Sequence, residues 1–86
     1  MVIEFKKFDL LYNNTSYQFK NENIRIDFTF GLLEIIINNR VVYSRVHRIN
    51  GLTEQEKLKM VYPVIIDVLF NHNILIQKIK VKQNIK

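Results

Sequence analysis

Ile24-Arg25-Ile26-Asp27-Phe28-Thr29-Phe30 alternates without a break, with large apolar residues at the even positions and polar ones between them. On an extended chain successive side chains point to opposite faces, so this segment buries one face and wets the other, as a strand of an antiparallel sheet does. Coiled into a helix, the same residues would scatter around the whole circumference.

Toward the N-terminus, Asn21-Glu22-Asn23 is a turn, and Ser16 to Lys20, with Tyr17 and Phe19 on one side, is a second strand. Asn13-Asn14 supplies a hairpin, because Asn tolerates the positive φ of a tight turn. Before it, Ile3 to Tyr12 carries two period-2 runs whose phase slips at Lys6-Lys7, which predicts a strand with a bulge. Toward the C-terminus, Gly31 interrupts the alternation and Leu32 to Ile37 follows as an apolar run broken by Glu34. Phe28 to Ile37 reads either as one long bent strand or as two. Asn38-Asn39 makes the next turn, and Val41 to Ile49 returns.

Asn50-Gly51-Leu52 then breaks the strand pattern. Thr53-Glu54-Gln55-Glu56 has the spacing of a capping box, in which hydroxyl and carboxylate satisfy free amides at a helix start. Glu56, Lys59, Pro63, Asp67 and Asn71 recur at three- and four-residue steps, a single polar stripe down an apolar segment. A helix from Thr53 to Phe70 is therefore expected, bent at Pro63 where a backbone bond is lost. Asn71-His72-Asn73 ends it. Ile74 to Val81 is a last strand, with Leu75, Gln77, Ile79 and Val81 on one face. The expected fold is a single α+β domain over residues 1–86: an antiparallel sheet of four to six strands, one long helix packed on one face, and a final C-terminal strand.

Eighty-six residues, 48% of them apolar and 24% charged, suit one small hydrophobic core. The absence of cysteine excludes a disulfide scaffold and a thiol nucleophile. The longest weakly polar stretch, Met60 to Phe70, is too short to span a bilayer, and Met1 to Tyr12 lacks the pattern of a secretion signal, so a cytoplasmic location is the expectation. Phe, Tyr, Met, Ile, Asn and Lys supply 44 of the 86 residues and Ala none, the mark of AT-rich coding DNA. Small size, this bias and the lack of motifs are in the general style of accessory proteins of phages and mobile elements.

Catalytic templates find no match. His47 and His72 lie 25 positions apart, without the i, i+4 spacing of a helical zinc pair. Two glycines cannot build a phosphate-cradling loop, and no serine or threonine sits in a nucleophile context. Asp27 and Glu34 on neighbouring strands have the carboxylates of a metal nuclease, but Ile36 stands where its lysine would be. Neither a catalytic residue, a metal, a cofactor nor a small-molecule substrate is expected. Phe28 and Phe30 lack the glycines of an RNA-stacking strand and are assigned to the core.

Two features can carry function. The net charge of +5 is concentrated: residues 39–50 sum to +3 and residues 74–86 to +4, while the other segments are each −1. Arg40, Arg45, His47, Arg48, Lys78, Lys80 and Lys82 are therefore the candidate binding surface, one positive face if the fold unites them. The second feature is an apolar excess that a core this small cannot hide, which predicts a homodimer or a protein partner. The leading expectation is a non-enzymatic protein-binding module, an inhibitor of a host nucleic-acid enzyme. The alternative is a small nucleic-acid-binding protein that uses the basic strands.

Overall fold

The computed structural model describes residues 1–82. Six strands form one sheet: β1 (Val2–Asp9), β2 (Thr15–Lys20), β3 (Ile24–Thr29), β4 (Leu32–Ile37), β5 (Arg40–Val46) and, after helix α1 (Glu54–Phe70), β6 (Lys78–Lys82). Their order is β5-β4-β3-β2-β1-β6. The first five form an antiparallel meander, whereas β6 lies parallel to β1. This is the expected α+β sheet with one long helix and a final strand; α1 is the cause of its one parallel pairing. β5 ends at the edge where β1 ends, and the helix carries the chain back to the opposite edge, so β6 must run in the direction of β1.

The core lies between the sheet and α1. Ile3, Phe5, Tyr17, Ile24, Ile26, Phe28, Leu33 and Ile35 face Val61, Ile65 and Leu69, which recur every four residues along the helix. The expected polar stripe is on the opposite side: Glu56, Lys59, Pro63, Asp67 and Asn71 are all exposed. Thr53 caps α1 as its spacing predicts, accepting from the Glu56 amide at 3.2 Å while Glu56 accepts from the Thr53 amide at 3.0 Å. Among the described residues, no helix is long and apolar enough to cross a membrane.

Two local expectations are corrected and one open alternative is decided. The predicted bulge at Lys6-Lys7 is absent: β1 stays in register with β2 through Asp9, which leaves Lys7 on the helix side and Phe8 on the open side. An ion pair, described below, is what holds a lysine there. Phe28 to Ile37 is two strands, because Phe30 (φ 51°) and Gly31 (φ 81°) make a two-residue turn of type I′ character. The bulge in this half lies in β5 instead, where Ile35 pairs with Tyr43 but Ile36 with Val41. Finally, β6 begins later than the predicted strand, at Lys78. Ile74 and Ile76 pack on the core before it begins, a bend at Gln77 shifts the phase, and Ile79 and Val81 then take the inward positions while Leu75 is exposed.

Gly31 is fixed by two constraints at once. Its φ is left-handed, and a Cβ there would lie 2.6 Å from the His47 carbonyl oxygen, which accepts no such approach. Gly51 (φ 77°) has the same kind of backbone but open space around it. Gly31→Ala should therefore cost more than about 2 kcal/mol and Gly51→Ala only about 1 kcal/mol, measured as urea midpoints at constant slope.

Candidate functional site

The topology separates the two basic segments. Arg40 and Arg45 lie on β5, with His47 and Arg48 just beyond it, and Lys78, Lys80 and Lys82 lie on β6, so the two groups occupy opposite edges of the sheet. Five strand spacings of ~4.8 Å put them roughly 24 Å apart. The cross-strand partners also place them on different faces: Arg45 pairs with Leu33 on the helix side, while Lys80 pairs with Glu4 on the open side. They make two surfaces, not one. Lys80 is partly neutralised by Glu4 at 3.2 Å. His47 is half-buried, stacked on Tyr43 with its Nε2 2.9 Å from the tyrosine hydroxyl. His72 caps the end of α1 with Nδ1 2.9 Å from the Val68 carbonyl.

A different feature gathers at the edge where β1, β3 and β5 end. Leu10, Leu11 and Tyr12 form the β1–β2 connection, and Phe30 the tip of the β3–β4 hairpin; all four are exposed, Leu11 at 80%, Tyr12 at 92% and Phe30 at 61%. β2 and β3 are neighbours, so these two tips flank one another along a single rim. Phe30 thus leaves the core to which its alternation assigned it, because the turn begins one residue before the apolar pattern ends. Tyr12 (φ 61°) and Phe30 (φ 51°) both have left-handed backbone. Bulky side chains rarely adopt it. The sequence signal for this rim was the Phe-Gly pair itself, readable as a two-residue hairpin.

Beneath the rim, the first residue of α1 is pinned to the sheet. Glu54 accepts from Lys7 Nζ at 3.0 Å and from the Thr15 hydroxyl, which joins β1, β2 and the helix start. The Thr15 and Lys7 bonds hold the Glu54 carboxyl below its ordinary range. Burial, then the facing carboxylate of Glu54, pushes the Tyr17 hydroxyl up to about 12, so it stays protonated beside that carboxylate. A cleft lined by Tyr17, Phe28, Phe30, Ile49, Glu54 and Lys57 opens there. Among the described residues no group of three or more His, Cys, Asp or Glu side chains is placed to hold a metal ion.

Comparison with known proteins finds no match: no family model, no curated protein and no solved structure is significantly similar to this chain.

A carboxyl whose folded-state pKa is depressed adds stability above its unfolded value, about 4.3 for Glu, and loses it as the pH falls through the folded value. Stability should accordingly decline as the pH drops below about 4.3, and Glu54→Gln should flatten part of that decline while lowering stability at pH 7. Urea titrations at pH 3 to 7 measure both. An unchanged acid limb in Glu54→Gln would mean that this carboxylate contributes nothing to the helix anchor.

Proposed function

We propose that the protein is a non-enzymatic protein-binding module whose contact surface is the rim of Leu10, Leu11, Tyr12 and Phe30. One observation supports this above the others: two aromatic residues occupy left-handed backbone positions while their side chains stand in water. Such a backbone is unfavourable by order of 1 kcal/mol for a residue with a large side chain, and an exposed ring recovers little of it by burial. Asn or Gly would serve the fold better at both sites. Aromatic anchors of this kind supply much of the energy of protein interfaces, where a partner buries them.

The finer reading, an inhibitor that engages a host nucleic-acid enzyme on behalf of a phage or mobile element, draws its support from small size and AT-rich composition. A second reading, direct nucleic-acid binding, is favoured by one observation: Lys78, Lys80 and Lys82 share the open face of β6. Retarded migration of an oligonucleotide that weakens steeply between low and moderate salt would support it.

The rim reading makes an unusual prediction about stability. Tyr12→Asn and Phe30→Asn should each stabilise the fold by roughly 0.5–1 kcal/mol, since Asn accepts positive φ more readily. The same variants should lose the proteins that the wild type retains from lysate of its source cells. Retention of every bound protein by the double variant, with its stability raised, would sink the proposal.

A further inference from the structure

The open face of the sheet has a charge order that the pairing register makes explicit. Across the strands β6-β1-β2-β3-β4-β5, one row reads Lys82, Lys6, Gln18, Asp27, Glu34, Ser44. The next row reads Phe8, Ser16, Thr29, Leu32 and Val46 across β1 to β5. In the first row two lysines stand directly opposite each other on β6 and β1, and two carboxylates directly opposite each other on β3 and β4. Like charges so placed are unfavourable within a sheet. Neither pair is relieved by an ion pair among the described residues, whose salt bridges are Lys7–Glu54 and Lys80–Glu4. Asp27 accepts a hydrogen bond from the Thr29 hydroxyl at 2.7 Å, which leaves its charge in place.

A second copy of the chain relieves one member of each like-charge pair. Consider a two-fold axis parallel to the strands that passes between β2 and β3, the centre of the six-stranded sheet. It turns the open faces of two copies toward each other and exchanges β1 with β4, β2 with β3, and β6 with β5. Within the charged row, Lys6 then meets Glu34 of the partner subunit, twice by symmetry, with Lys82 alongside. In the next row Phe8 meets Leu32 of the partner subunit, covering exposed apolar surface. The same operation brings Lys20 near the partner's Arg25, a repulsion that these long side chains relieve by turning toward water. We propose that this face is the interface of an isologous homodimer in which Lys6 of β1 pairs with Glu34 of the partner subunit.

The dimensions agree. Six strands at ~4.8 Å and three steps of ~6.8 Å between rows give a face of about 600 Å² before side-chain relief is counted, close to the ~800 Å² that each partner buries in a standard interface. Sheets packed in this way lie ~10 Å apart, within reach of Lys and Glu side chains. A nucleic acid is the poorer occupant, because Asp27 and Glu34 in the middle of the face repel phosphates.

Charge exchange tests the pairing directly. Sedimentation equilibrium of the wild-type chain should give twice the monomer mass at micromolar concentration, weakening as salt rises. The variant Lys6→Glu with Lys82→Glu and the variant Asp27→Lys with Glu34→Lys should each be monomeric, their self-association weakened at least tenfold. Mixed in equal amounts they should restore the dimer, since each now presents the charges that the other needs. Should either double variant fail to fold by circular dichroism, Lys6→Gln and Glu34→Gln, which only neutralise, should each weaken self-association several-fold. The rim variants Tyr12→Asn and Phe30→Asn should leave the mass unchanged, which separates this interface from the rim. A monomeric wild type at high micromolar concentration would overturn the proposal. So would either charge variant remaining dimeric alone, or lysine variants that lose oligonucleotide binding while the mass stays the same.

Discussion

Burial of the Val61-Ile65-Leu69 face of α1 against the sheet is the contact on which the architecture depends. One helix about 10 Å across covers roughly two strand spacings, whereas six strands extend about 29 Å. The remaining inner surface is closed by residues that are only partly buried, including Tyr43, Ile49, Ile74 and Ile76, which line the flanks of the helix. Among the described residues, no layer covers the outer face. A chain of this size therefore has a well-buried centre and an extensive periphery.

The helix also fixes the strand order. It delivers the chain to the edge where β1 begins, so β6 pairs in parallel with β1 and protects one edge with Lys78, Lys80 and Lys82, as edge strands commonly do. β5 is left as the other edge, with a bulge and Arg40 and Arg45 on it. Anchoring through Glu54, Lys7 and Thr15 links the helix start to two strands far from it in sequence at a single carboxylate. Lys7, a cation on the inward side of β1, keeps that position because its partner is there. A lone lysine at the margin of an apolar layer would be unfavourable.

The rim and the open face differ in chemistry and in what they suit. The rim holds exposed apolar side chains on turns whose backbone is least favourable for them, a combination that fits a partner able to bury them. The open face holds polar and charged residues, with cations on β6 and β1 and acids on β3 and β4 in one row. Two such surfaces on one small chain are compatible, because one lies along an edge of the sheet and the other on its plane.

Period and capping were legible in the sequence because they are local. Ile24 to Phe30 declares a strand by its own alternation, Thr53 to Glu56 declares a helix start by its own side chains, and the stripe from Glu56 to Asn71 orients the helix without reference to any other element. Asn38-Asn39 was readable as a turn for the same reason, since the conformational preference resides in the residue. What period could not decide was which strands become neighbours. The alternation of Ile79 and Val81 assigns a face but no partner, and the meeting of β6 with β1 follows from where α1 ends. For that reason the two basic segments, a single surface in the linear sequence, lie at opposite edges of the sheet. Tyr12 and Phe30 show the same limit: an apolar residue reads as core from its pattern, and only the path of its turn, which for Phe30 is closed by the approach of the His47 carbonyl to Gly31, puts such a ring in water.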